Sequence, residues 1–418
     1  MRILFVHQNF PGQFRHLAPA LAAQAENQVV ALGDETNIRA AAGLHPRLGL
    51  CGYPAPAGAS AQTHHYLHST ESAIRRGQAV ARAAMTLRDK GFSPDVIYAH
   101  PAWGEALYLK DIFPSAKLLL FLEFFYRPHG SDMNFDPEYP NSFDDGCKAR
   151  TRNATQLLSL ACADGGISPT HWQRAQYPRE FQGMIHVVHD GIDTDVVRPG
   201  VVADFRLPDD RGQLASGAEV ITFVARNLEP YRGFHTFMRA LPTILAARPH
   251  AHVLIVGGDD VSYGRRLEGE SYRAKYMRES DGRLDSRRIH FLGKIPYSVF
   301  LDVLRLSSAH VYLTYPFVLS WSMLEAMSSG CLVIGSDTPP VREVIVHGRN
   351  GILVDFFSAT DLAAAVVDAL AHPQSVKPLR DQARGHIQAR YDLTRIALPQ
   401  QTAIIDELTQ AGWTEKTR

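Results

Sequence analysis

The sequence predicts an α/β protein of two doubly wound, Rossmann-like parallel-sheet domains in series. Three observations point there. Short β-branched or aromatic runs alternate with helical stretches along the whole chain, as in a parallel sheet covered by helices. The 418 residues are too many for one ordinary core and comfortable for two. The alternation halts once, at the polar, Pro- and Gly-bearing stretch 199–217, and then restarts. These features set the expected limits at 1–200 and 201–392, with a closing helical segment at 393–418. Ligands of such domains bind outside the carboxyl ends of the strands, so a cleft between the two is the expected site.

In order, 2–7 reads as the opening buried strand, 8–12 as a turn and 13–24 as a helix. Pro11 suits the helix entry, and Gly12 lets backbone approach a ligand or simply makes the turn. Strand, glycine turn and helix start form a phosphate-facing loop. No full GxGxxG is present, which disfavours a nicotinamide dehydrogenase. A strand at 28–32 leads into an irregular Pro/Gly-rich region, 43–61. The helix expected at 71–90 carries Arg75, Arg76, Arg82 and Arg88, a basic face suited to solvent or to anionic lipid. Strands at 95–100 and 117–124 flank a helix at 103–110. The stretch 127–145 is a long loop of the kind that often carries function. A helix near 148–161, a strand near 165–167, a helix at 169–177 and a strand at 184–188 complete the first half. Beyond 217 come strands at 220–225, 252–256 and 289–292, interleaved with helices at 233–245, 265–279 and 297–305.

Composition excludes several classes. Hydrophobic residues make up 45% and charged residues 21%, which is globular. Formal net charge is zero, without the basic excess of a nucleic-acid binder. Cys51, Cys147, Cys162 and Cys331 are far apart and form no CxxC pair, so neither a disulfide framework nor a zinc site is expected. His64, His65 and His68 show no helical pairing with a carboxylate that would spell zinc. MRILFVHQNF is not a signal peptide, and runs such as LLLFL are too short to cross a bilayer. A cytoplasmic protein is expected, with peripheral contact at the inner face of the membrane as an alternative use of the basic helix.

The stretch 311–337, VYLTYPFVLSWSMLEAMSSGCLVIGSD, is the richest in signals. It reads as a strand, a helix capped by Ser320 or Ser322 and ended by Gly330, and a second buried strand. The loop before the helix feeds free N–H groups and the positive end of a helix dipole, a ready anion site. Glu325, near the helix start, can accept hydrogen bonds from two neighbouring hydroxyls, as a ribose offers. Arg226 directly follows a strand and Arg232 opens the next helix, a pair suited to forked contacts with a diphosphate. Their pairing with Glu229 or aspartates is the structural alternative.

VARNLEPYRGFHTFMRAL, FLGKIPYSVF, LEAMSSGCLVIGSDTPPVREVIVHGRNGILVD and VVHDGIDTDVVRP resemble, in order and spacing, the family 4 (group 1) retaining glycosyltransferases of GT-B fold. The resemblance covers nearly the whole chain. It implies that Arg226 and Arg232 grip a donor diphosphate, and that Glu325 holds the nucleotide ribose. The backbone at 293–295, with Lys294, would lie along the base, and Ser320, Trp321 and Ser322 would offer amides to the donor. Gly12 would face the donor phosphate and sugar. Glu343 and Asn350 also fit the pattern. The final helix would pack back on the first domain, and hinge closure would assemble the site. The resemblance further implies a nucleotide diphosphate sugar as donor substrate, no cofactor and no obligatory metal. The acceptor would be a glycan, a lipid-linked or a small molecule, in polysaccharide or lipopolysaccharide synthesis. The triplet Asp193–Thr194–Asp195 has the form of a DxD metal motif but falls where the family carries a turn.

Two departures stand out. Eight residues before Glu325, where the family usually has a second glutamate, stands Phe317. Where it often has a histidine, after the strand run 118–122, stands Glu123, which can bind a sugar hydroxyl or orient an acceptor. His100 matches another common histidine and reads as an acceptor residue or a packed core residue. These departures leave room for a nucleotide-sugar-binding protein without transfer, or for another GT-B enzyme such as a nucleotide-sugar epimerase. A phosphorylase would need a cofactor lysine, for which the second domain offers Lys275, Lys294 and Lys377.

Overall fold

A computed structural model describes residues 1–208, 211–280 and 282–410. Packing divides the chain into two units. One is Met1–Gly191 with the described residues from Thr394 onward, and the other is Ile192–Leu393.

The first unit holds a seven-stranded parallel sheet: β1 Arg2–Val6, β2 Gln28–Asp34, β3 Leu48–Tyr53, β4 Val96–Ala99, β5 Lys117–Phe121, β6 Gly165–Ser168 and β7 Ile185–Val187. Its order is β3-β2-β1-β4-β5-β6-β7. The aliphatic run of β1 serves both faces. Ile3 and Phe5 enter one buried cluster, Leu4 and Val6 the other, because side chains alternate along a strand. The closing helix Leu398–Thr409 belongs to this unit: Ile404, Ile405 and Leu408 join Ile3, Phe5 and Leu21 in one cluster.

The second unit holds β8 Phe205–Arg206 and β9 Gln213–Leu214 as a small antiparallel pair. Its main sheet has six parallel strands: β10 Val220–Asn227, β11 His252–Gly258, β12 Ile289–Gly293, β13 Ala309–Tyr312, β14 Val333–Ser336 and β15 Ile352–Val354. The order is β12-β11-β10-β13-β14-β15. One face is covered by the helices Tyr297–Leu306, Trp321–Ser328 and Lys377–Arg390. The stretch 199–217 is not a free linker. Val202, Phe205, Leu207 and Leu214 are buried with Val220 and Leu254, so these four residues belong to this unit's core.

Four local expectations need correction. The region 43–61 contains β3, an edge strand whose register with β2 runs from Val29↔Leu48 to Asp34↔Tyr53. The helix expected at 103–110 is reduced to Leu109–Ile112. Gly104 turns the chain at φ +97 and packs so close to Ala73 that a Cβ would sit 2.1 Å from its carbonyl oxygen. The helix expected at 148–161 is two, Phe143–Arg152 and Ala154–Cys162. They meet at Asn153, whose amide accepts from the Tyr126 N–H (3.1 Å) and donates to its carbonyl (2.7 Å). The charged helix near 265–279 is only Tyr272–Glu279, capped by Ser271. In each case a tertiary contact or a cap overrides local propensity.

Ile405 is fully buried in the first unit's core. Ile405→Ala is expected to cost roughly 2–5 kcal/mol. Hydrogen exchange should then show β1 and β2 amides losing protection while β10 and β13 keep theirs.

Candidate functional site

In each main sheet the winding reverses direction once, between β1 and β4 and between β10 and β13. The carboxyl ends of strands beside such a reversal are where open α/β sheets bind ligands. Gly12 follows β1, and His100 follows β4. Arg226 and Arg232 lie at the end of β10, and the loop 313–320 follows β13.

In the second unit, the pairing of β10 with β11 skips from Val224 to Asn227. This irregularity coincides with Arg226, which is exposed and makes no hydrogen bond or ion pair with another described residue. Lys294, just past β12, is also exposed and packs its stem near Gly258 at the end of β11.

Arg232 differs. It is 7% exposed, and its Nη1 donates to Tyr312 Oη (3.2 Å), Thr314 Oγ1 (2.8 Å) and the Val318 carbonyl (3.0 Å). The rings of Tyr263 and Phe317 lie over its guanidinium at 5.5 and 5.9 Å. Phe317 is itself buried, 4.9 Å from Tyr263 and edge-on to Tyr231 at 5.5 Å. Glu229, a residue that the sequence offered only as an arginine partner, accepts the N–H groups of Ser262 (3.0 Å), Tyr263 (3.2 Å) and Gly264 (2.8 Å). Burial pushes its carboxyl up, while those amides and Arg232 pull it back. Glu229 thereby fixes the loop that carries Tyr263.

The helix Trp321–Ser328 is capped by Ser320, whose Oγ accepts the Ser322 N–H at 3.3 Å. The Ser320 N–H in turn donates to Tyr312 Oη at 2.9 Å, so the cap and Arg232 share one phenol. Trp321 is half-buried against the core. Glu325 accepts a hydrogen bond from Tyr297 Oη at 2.7 Å. Asn350 makes a local turn, accepting from the Val346 N–H and donating to the Val344 carbonyl. Asp193 accepts the N–H groups of Asp195 and Val196, and Thr194 donates to Asp392, so the Asp–Thr–Asp triplet builds a turn.

In the first unit, Gly12 (φ +45) rests on the His7 ring: a Cβ there would meet Cε1 and Nε2 at 2.9 Å. His7 Nδ1 accepts the Asn9 N–H (2.9 Å), which leaves the proton on Nε2. Burial and His100 hold His7 down at about 3, so it stays neutral. His100 is 1% exposed, stacked on Trp103 at 4.5 Å, with Nε2 3.5 Å from Glu123 Oε2. The other Glu123 oxygen accepts from Gln13 Nε2 at 3.1 Å. Glu123 thus joins the glycine loop to the end of β4. Sequence reasoning missed Glu105, which is fully buried: Oε1 accepts the Gln8 N–H (3.2 Å) and Oε2 has no partner among the described residues. Burial pushes its carboxyl up to about 7, against the pull of Arg76 and His100. A carboxyl within a few residues of the strand end was the available signal.

For a carboxyl raised on folding, the folded state binds the extra proton between the unfolded and folded values. Stability therefore falls as pH rises from about 4.5 through about 7. Melting temperature followed from pH 5 to 8 should decline more steeply in the unaltered protein than in Glu105→Gln, with a difference of roughly 3 kcal/mol across the window.

Comparison with known proteins matches residues 25–197 to the profile of the "Glycosyl transferase family 4 group" and residues 208–386 to that of the "Glycosyl transferases group 1". A phosphatidyl-myo-inositol mannosyltransferase of Mycolicibacterium smegmatis is 32% identical over 246 residues, 52% of this chain and 59% of that protein. A D-inositol 3-phosphate glycosyltransferase of Corynebacterium jeikeium is 29% identical over 186 residues, 44% of this chain and 42% of that one. The matched stretches therefore span about two to three fifths of these relatives. Among solved structures, HepE of Anabaena in complex with UDP-glucose superposes with a TM-score of 0.66 at 16% identity, covering 97% of this chain and 100% of that one. Sucrose-phosphate synthase of Thermosynechococcus elongatus gives 0.72 at 19% identity, covering 97% and 99%. The chain belongs to the family 4, group 1 glycosyl transferases and has their GT-B fold.

Proposed function

We propose that the chain is a retaining, hexosyl-type glycosyltransferase that moves a sugar from a nucleoside diphosphate sugar to a hydroxyl of a glycan, lipid-linked or small-molecule acceptor. One observation carries this reading. At the carboxyl ends of β10 to β13, one unit gathers the exposed cations Arg226 and Lys294, the Ser320-capped helix start and the Glu325 carboxylate. That set suits a diphosphate joined to a ribose. The names of the relatives, a mannosyltransferase acting on phosphatidyl-myo-inositol and a fold neighbour bound to UDP-glucose, support the donor and acceptor classes.

Arg226 and the helix amides stabilise the leaving diphosphate, and its oxygen takes the acceptor's proton. The charge stabilisation that Mg²⁺ gives elsewhere then comes from the protein, so no metal is required. Arg232, with Nη1 committed to three protein oxygens, holds the loop 313–320 and adds its charge from beneath. In the first unit, Glu123 is the group offered to an acceptor hydroxyl, with Gln13 hydrogen-bonded to one oxygen and the His100 ring 3.5 Å from the other. Gly12 leaves the loop open above His7.

We place the protein in the cytoplasm, working on cell-surface polysaccharide. No helix among the described residues is long and apolar enough to cross a membrane. Peripheral lipid contact through the helix His68–Asp89 has less free charge than its arginine count promises. Arg75 pairs with Glu71, Arg88 pairs with Asp89, and Arg76 donates to the Trp103 carbonyl. Co-sedimentation with phosphatidylserine vesicles, lost on Arg82→Glu, is the expected result if that contact exists. A second reading, nucleotide-sugar binding without transfer, is favoured by Phe317, whose ring covers Arg232 at the position where the family resemblance implies a second glutamate. Background turnover across a panel of acceptors, with the nucleotide still bound, would establish it.

A thermal-shift screen with UDP, GDP, ADP, dTDP and CMP tests the donor reading. One nucleotide should raise the melting temperature equally in EDTA and in Mg²⁺, and much less in Glu325→Ala. A ligand at a hundred times its dissociation constant adds roughly 2.7 kcal/mol. No shift with any nucleotide would sink the proposal.

The two arginines should separate. Arg226→Ala is expected to weaken nucleoside diphosphate binding roughly tenfold or more, from a charge-assisted hydrogen bond of about 1.5–3 kcal/mol, and to leave the apo melting temperature unchanged. Arg232→Ala should lower that melting temperature as well, because three oxygens lose their donor. Titration calorimetry and calorimetric melting check the pair.

A further inference from the structure

One hydrogen bond joins two elements that the donor reading gives to a single nucleoside. Tyr297 is the first residue of the helix Tyr297–Leu306, directly after the β12 turn at 293–296. Its hydroxyl donates to Glu325 Oε1 at 2.7 Å, across 28 positions of sequence. The base-facing turn and the ribose-facing carboxylate are thus fastened to each other directly. The Tyr297 ring is 51% exposed and leans on Phe300 at 5.7 Å, so it stands at the surface and is not part of the core.

The chemistry of the carboxylate gives this bond a consequence. An ionised carboxylate offers about four acceptor positions on two oxygens. Tyr297 takes one of them, and the two hydroxyls of a ribose call for two. A free glutamate side chain is rich in rotamers, and ordering it opposes binding. A phenol already bonded to one oxygen removes much of that cost and fixes the direction in which the rest of the carboxylate faces.

Resting on the donor reading above, we infer that Tyr297 is a positioning residue that sets Glu325 to read a vicinal diol, so that the site selects ribonucleoside diphosphates over 2′-deoxyribonucleoside diphosphates. A site built around hydrogen bonds to substrate hydroxyls rejects an analogue lacking one, because its polar group is then left unpaired. The donor is accordingly a ribonucleotide sugar and not a thymidine diphosphate sugar.

The test measures dissociation constants of UDP and 2′-deoxy-UDP, or the pair on whichever base binds, for the unaltered chain, Tyr297→Phe, Glu325→Ala and the double variant. The unaltered chain should prefer the ribonucleotide about tenfold or more. Tyr297→Phe should weaken the ribonucleotide several-fold and the deoxynucleotide less, narrowing the ratio at an unchanged melting temperature. In the Glu325→Ala background, Tyr297→Phe should add nothing, since the phenol acts through the carboxylate. A ratio equal in Tyr297→Phe and the unaltered chain overturns the inference. So does tighter ribonucleotide binding by Tyr297→Phe, which would make the phenol a competitor for Glu325. If the unaltered chain binds no nucleotide at all, the donor reading itself fails and this inference with it.

Discussion

The short turn from Glu229 to Arg232 buries two opposite charges, and each holds a different loop. Glu229 collects three backbone N–H groups from 262–264, and Arg232 gives one nitrogen to three oxygens between Tyr312 and Val318. A buried guanidinium or carboxylate is costly unless its hydrogen bonds are met, so neither loop can move without exposing the cost. Tyr312 extends the chain of contacts, because its phenol also accepts the N–H of Ser320, the cap of the helix Trp321–Ser328. The loops at the carboxyl ends of β10 and β13 are therefore positioned from beneath by charges that are themselves out of solvent. Arg226 and Lys294, outside that network, keep their charge at the surface.

The first unit arranges its polar groups by a different logic. His7, His100, Glu105 and Glu123 gather at the ends of β1, β4 and β5 around Trp103, and only Glu123 is appreciably exposed. The two imidazoles each accept a backbone N–H on Nδ1, which leaves the Nε2 protons to face outward from their turns. Burial keeps His7 neutral and holds a proton on Glu105 near neutral pH. The result is a supporting layer of low net charge beneath one partly exposed carboxylate. The Glu123 carboxylate lies 3.5 Å from an imidazole supplied by the end of β4.

Much of this was legible in the chain itself. Alternating strand and helix patterns determined two parallel-sheet units, since a strand buried on both faces must be apolar at every position and a helix must not. The serine cap, the Gly330 stop and the acid at Glu325 were equally plain, because caps and glycine stops act within a few residues of sequence. The tertiary structure decided what depends on distant partners. It made Arg232 a buried anchor and Arg226 an exposed cation, although the sequence offered both as the same kind of group. It brought Tyr297 to Glu325, Gln13 to Glu123 and Glu105 beneath the glycine loop, and it took Val202, Phe205, Leu207 and Leu214 into a core. Hydrogen bonds between residues tens of positions apart leave no local period or cap, so a single sequence carries the donors and acceptors but not their pairing.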